Sequence, residues 1–124
     1  MKTISTDQAP AAIGPYSQGK ISGNLLFVSG QLPIDPSTGK MVESTIADRT
    51  HQILKNCTAI AKEAGVDLTK VVKTTIFLTD LANFQEVNEA YGSHFPENPP
   101  ARSTIQVAAL PLGSDIEIEF ILAT

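Results

Sequence analysis

Cysteine is almost absent from this chain, and Cys57 is the only one. A single thiol excludes an intrachain disulfide framework and fits a reducing compartment, so a cytoplasmic protein is expected. Histidine occurs only as His51 and His94, at a spacing that matches no metal-ligand motif, so no metal site is expected. Aromatic residues make up 6% of the chain and the net charge is −4. Neither the basic footprint nor the stacking platform used by nucleic-acid binders is therefore in sight. No apolar run approaches the ~20 residues of a membrane-spanning helix. The stretch from Met1 to Gln8 has neither the apolar core of a signal peptide nor an Arg-rich transit pattern. Charged residues amount to 18%, against about 25% in ordinary domains. A small chain so short of charge is expected to hide part of its surface in an oligomer.

What is present fits one domain, residues 1–124, around a single core. Lys2 to Ser5 reads as a short edge strand. Pro10-Ala11-Ala12-Ile13-Gly14-Pro15-Tyr16 reads as a loop stiffened by proline and bent by glycine. Gly23-Asn24 lies between two β-forming runs and predicts a hairpin. The second run, Leu25-Leu26-Phe27-Val28, is apolar at four successive positions, which predicts cover on both faces. Gly30 then interrupts it and predicts a bulge or a close backbone approach. Thr45 and Asp48 have capping-box spacing before a helix whose stripe contains Ile46, Ile53, Leu54, Cys57, Ile60 and Ala61. Cys57 on that stripe reads as a core residue, and His51, off it, as solvated. Val71 to Thr79 reads as a strand. Asp80 or Asn83 caps a second helix with Phe84, Val87, Tyr91 and Phe95 on its stripe. Asn88 falls on the same stripe and needs a hydrogen-bond partner, from a loop or from a ligand.

Pro99-Pro100 denies helix to what precedes it. Arg102 follows at the mouth of a β-branched, alternating run, and Ile116-Glu117-Ile118-Glu119-Phe120 is the last strand. The order of elements predicts an α+β fold, a mixed sheet with both helices packed on one face. In the last strand Ile116, Ile118 and Phe120 share the face expected beneath the helices, and Glu117, Glu119 and Ile121 share the other. In the middle strand Val72 is expected to share a face with Thr74 and Ile76. The second sheet face is too polar for a private core and too poor in charge for a solvent face, so it reads as a subunit interface with polar sites set into it. A guanidinium offers paired donors to a carboxylate or phosphate, and Arg102 stands at a fixed loop-to-strand junction. If the last two strands pair directly, Arg102 and Glu117 are roughly 20 Å apart, a strand inserted between them is not expected to shorten this, and in either order any site using both is shared between subunits.

Pro100-Ala101-Arg102-Ser103, with Ile105, Ala108, Leu110 and Ile116-Glu117-Ile118, resembles the signature of the Rid (YjgF) family of imine deaminases, RidA subfamily. Ala9 to Gln18, Ser29-Gly30-Gln31-Leu32-Pro33 and Val87-Asn88-Glu89-Ala90-Tyr91 agree as well, so the resemblance runs over nearly the whole chain. It implies a chorismate-mutase-like fold, with the last strand inserted between earlier ones, and a homotrimer with sites between subunits. It also implies hydrolysis of 2-imino acids and their enamine tautomers, such as 2-iminopropanoate and 2-iminobutanoate, to 2-oxo acids and ammonia without metal or cofactor. By the resemblance Arg102 binds the substrate carboxylate and Glu117 positions water and moves protons. Tyr16 lines the pocket, Gly30 and the backbone of Thr104 make main-chain contacts, and Asn88 is linked to the site. Many members carry cysteine where this chain has Thr104. The competing reading is a non-catalytic, 2-oxo-acid-binding or chaperone-like protein. The joint presence of Arg102, Glu117 and Tyr16 favours the enzyme, because a pure carboxylate binder needs no glutamate facing a bound acid.

Overall fold

Gly23 takes a φ of 60°, and this left-handed turn folds β2 (Gly19–Ser22) against β3 (Leu25–Gln31). In the computed structural model, which describes residues 1–124, these strands follow β1 (Lys2–Ile4), an edge strand as expected. A small hairpin of β4 (Ile34–Asp35) and β5 (Lys40–Met41) leads into α1 (Ile46–Glu63). Thr45 caps α1 by accepting from the Asp48 N–H at 3.1 Å, while the Asp48 carboxylate accepts from Ser44 Oγ at 2.8 Å. Gly65, at φ 81°, lets the chain leave the helix. β6 (Val71–Leu78) follows, and Asp80 then caps a short 3₁₀ turn, Leu81–Asn83, that runs into α2 (Phe84–Gly92). Asn83 makes no side-chain cap. β7 (Ala101–Gln106) and β8 (Ile116–Ala123) complete the chain.

The main sheet has six strands in the order β1-β2-β3-β8-β6-β7. β6 and β7 are parallel, with α2 as their crossover, and the other pairs are antiparallel. β8 is therefore inserted between β3 and β6, and it does not form a hairpin with β7. Both helices lie on one face. Ile53, Leu54, Cys57 and Ile60 of α1 and Val87 and Tyr91 of α2 are buried with Ile116, Ile118, Phe120 and Leu122 of β8. Full burial also pushes the Cys57 thiol far above its usual pKa, as a core thiol requires. No helix is long and apolar enough to cross a membrane.

Four expectations need correction. Val72 turns away from the core and is 45% exposed, because the β6–β8 register slips between Val71 and Lys73. An extra residue there reverses the alternation. On β3, Leu26 and Val28 are buried but Phe27 is 43% exposed, so a single chain covers only one face of that strand. His51 is half-buried, with its Nδ1 2.8 Å from His94 Nε2, and so links α1 to the end of α2. Asn88 is exposed and lies off the buried stripe of α2.

Candidate active site

Arg102 pairs in register with Thr74, whose hydroxyl is hydrogen-bonded to the Tyr91 hydroxyl of α2 at 2.7 Å. Paired residues share a face, so Arg102 lies on the helix side of the sheet, at its β7 edge. Its guanidinium rests over two rings of α2, with Cζ 5.4 Å from the Phe84 centroid and 5.2 Å from that of Tyr91. Both contacts are within cation–π range. Its Nη1 donates to Asn88 Oδ1 at 2.6 Å. The other guanidinium N–H groups have no acceptor in the chain, and the chain's one ion pair is Arg49 with Asp115. A cation held over two rings, oriented by one amide and lacking a carboxylate, is set up to receive one. The Tyr91 phenol is pushed up by burial, against the opposing pulls of its Thr74 hydrogen bond and the Arg102 charge. Thr104, two residues on, shares this face, and its Oγ1 is enclosed without a hydrogen-bond partner.

Glu117 pairs with Phe77 and lies on the opposite, open face. Its carboxyl packs over Gly30, and a Cβ built there would sit 2.5 Å from Oε1. The pKa of Glu117 is held above the usual carboxylate range, first by burial and then by the like charge of Glu119 two residues along. Such a carboxyl holds a proton more readily than a free glutamate does, which suits a group that takes and returns one. Gly30 also lines a cavity of about 350 Å³ together with Tyr16, Leu32, Pro111 and Leu112. The Tyr16 hydroxyl accepts from the Ile13 N–H at 3.4 Å, which ties the tyrosine back to its own loop.

The six residues singled out from the sequence therefore fall into two groups. Arg102, Asn88 and Thr104 gather at the β7–α2 edge, and Tyr16, Gly30 and Glu117 gather near the end of β3. The Phe77 level of Glu117 corresponds to Ile105 on β7. Arg102 is thus three residues and two strands away, roughly 14 Å between Cα positions instead of the 20 Å of a direct hairpin. The sheet itself stands between the two side chains. Sequence reasoning missed Phe84 and Tyr91 as the seat of Arg102, because at positions i and i+7 they read only as core stripe. The one signal in the sequence was Asn88, a polar residue one turn from each.

A family model described as Endoribonuclease L-PSP matches residues 6–124. Reactive Intermediate Deaminase A, chloroplastic, from Arabidopsis thaliana is 55% identical over 120 residues, 97% of this chain, and this chain spans 64% of that protein's length. The 2-iminobutanoate/2-iminopropanoate deaminase of Homo sapiens is 51% identical over 118 residues, covering 95% of this chain and 86% of that one. A crystal structure of an endoribonuclease-like protein from Thermotoga maritima superposes with a TM-score of 0.97 at 48% identity, covering 100% of this chain and 98% of the other. On the match of sequence and of fold along nearly its whole length, the chain belongs to the Rid (YjgF) family, in the company of RidA proteins.

Proposed function

We propose that the protein hydrolyses 2-imino acids and their enamine tautomers to 2-oxo acids and ammonia, in clefts formed between copies of the chain. The observation that carries this reading is the separation of Arg102 and Glu117 onto opposite faces of one sheet, each group incomplete alone. A second copy that brings its Glu117 face to the Arg102 edge of the first completes a site with a carboxylate receptor and a proton-transfer group. In that cleft Arg102 holds the substrate carboxylate, with Asn88 fixing the guanidinium. Glu117 accepts a proton from water as the oxygen bonds to the imine carbon, while the imine nitrogen takes up a proton. In the resulting carbinolamine Glu117 takes the hydroxyl proton and passes a proton to the amine nitrogen, so that the C–N bond breaks as the C=O bond forms and ammonia leaves the oxo acid. The names of the human and Arabidopsis relatives agree with this chemistry. The net charge of −4 favours it over RNA cleavage. The lone thiol suits a cytoplasmic setting.

The test couples purified protein to an amino-acid oxidase or a threonine dehydratase and times oxo-acid release. Wild type is expected to exceed buffer, and release no faster than in buffer overturns the catalytic reading. Arg102→Ala is expected to lower kcat/KM more than about tenfold, since it removes charge-assisted hydrogen bonds worth about 1.5–3 kcal/mol each. Glu117→Gln is expected to lower turnover by about 10²–10⁴-fold. Mixing the two variants and reassembling them at equal amounts leaves about a quarter of shared clefts with both residues intact, and activity returns accordingly. Mixed assemblies no more active than the separate variants would defeat the shared cleft.

A further inference from the structure

β3 carries one residue more than β8 between two fixed points of their register. Val28 pairs with Phe120 and Gln31 with Ile118, so Ser29 and Gly30 together face the single residue Glu119. This is a β-bulge, and it lets Val28 and Gln31, three apart, both point into the core, at 4% and 5% exposure. It also turns Gly30 toward the open face beneath the side chain of Glu117. A Cβ at Gly30 would lie 2.5 Å from Glu117 Oε1, 2.8 Å from Cδ and 3.1 Å from Cγ, with no other atom so close. Gly30 is not among the glycines with positive φ, so its backbone has no need of glycine. The three atoms that a side chain at this position would meet first all belong to Glu117.

We propose that Gly30 is a positioning residue, a bare patch of backbone that seats the Glu117 carboxyl and fixes where it meets the bound imine. The proposal rests on the reading of Glu117 as the proton-transfer group, and it assigns Gly30 a task beyond lending its main chain to the substrate. An alanine here has two outlets. Either the carboxyl swings off the bulge into water, or the bulge shifts; the first is favoured because the atoms met are the far end of a flexible side chain. The displaced carboxyl then loses the burial that holds its pKa up.

Gly30→Ala is therefore expected to lower kcat by about 10–10²-fold, the scale of an ångström's misplacement of a catalytic group. KM stays within about threefold, and the acid limb of the kcat profile moves to lower pH. An unchanged kcat and pH profile overturns the proposal. A second measurement does not depend on activity: the melting temperature of Gly30→Ala in the wild-type and in the Glu117→Ala background. Alanine at position 30 is expected to lower the melting temperature beside glutamate and to be neutral once Glu117 is truncated. An equal loss in both backgrounds, including failure to fold in both, shows that the backbone requires the glycine and overturns the seat. Should wild type release no oxo acid, the deaminase reading falls, while the stability cycle still decides whether Gly30 and Glu117 are coupled.

Discussion

Thr104 shows how one side chain can fit a site poorly in isolation. Its Oγ1 is enclosed by the chain and finds no partner, an arrangement that costs about 1–3 kcal/mol in a folded protein. Thr104→Val keeps the shape and removes the stranded hydroxyl, so thermal denaturation is expected to show an equal or higher melting temperature. A fall of several degrees indicates that the hydroxyl has a partner in the assembled protein. A thiol is a weaker donor than a hydroxyl and tolerates the same enclosure. Thr104→Cys is accordingly expected to keep kcat/KM within about tenfold, a barrier change of roughly 1.4 kcal/mol, and a change of several hundredfold assigns the side chain a direct part in binding. At this scale the sequence is informative about Arg102 and Glu117, whose chemistry is written in their residue types. It is silent about Phe84 and Tyr91, because nothing in a helical stripe separates a ring that fills the core from a ring whose face carries a guanidinium.

Between elements, the contact of His51 with His94 joins the second turn of α1 to the turn that follows α2. Burial, and then the neighbouring His51, hold His94 below the usual histidine pKa of about 6.5. An unfolded chain binds that proton near the ordinary value and the folded chain only at lower pH. In the window below about 6.5 the unfolded state thus holds more protons, and stability falls as the pH drops through it. The melting temperature of wild type is expected to decline more steeply between about pH 7 and 5 than that of His94→Gln, and parallel slopes count against the link. Element types and order are readable from periodicity, capping residues and Gly-Asn or Pro-Pro punctuation. Facing is readable only where the alternation runs unbroken, as in β8. In β3 and β6 an extra residue reverses the alternation; in β3 the interrupting Gly30 marks the place, whereas in β6 nothing in the run of β formers does. The partnership of two histidines 43 positions apart depends on how α1 and α2 cross, which no local pattern records.

For the molecule as a whole, the unsolved problem of the single chain is its open sheet face. Phe27, Val72 and Ile105 are 43%, 45% and 44% exposed, on the face that also carries Lys20, Lys73, Glu117 and Glu119. Apolar side chains gathered on a sheet face call for a partner surface. Sedimentation at micromolar concentration is expected to give a homotrimer. Phe27→Asp, remote from the residues given chemical roles, is expected to yield a folded monomer without activity, and a wild-type monomer would reject the assembly. The shortage of charge in the composition points to such a face by itself. The sequence separation of Arg102 and Glu117 points to shared sites as well, but for an incomplete reason. Insertion of β8 brings the two residues nearer than a hairpin does, and what keeps them apart is the sheet lying between them.

That insertion has a consequence for how the chain comes into being. β8 occupies the middle of the sheet, yet it follows every other strand in the chain. While a ribosome is still releasing residues before Ile116, the nascent polypeptide holds two fragments, β1-β2-β3 and β6-β7, with nothing to join them and a raw edge on each. Such edges are where unfinished chains stick to one another. Closure waits for a segment whose partners were made long before, so folding is a late and non-local event. The strand that brings Glu117 is also the one that makes the two fragments a single sheet, so a chain cut short before it lacks that carboxyl and the fold together.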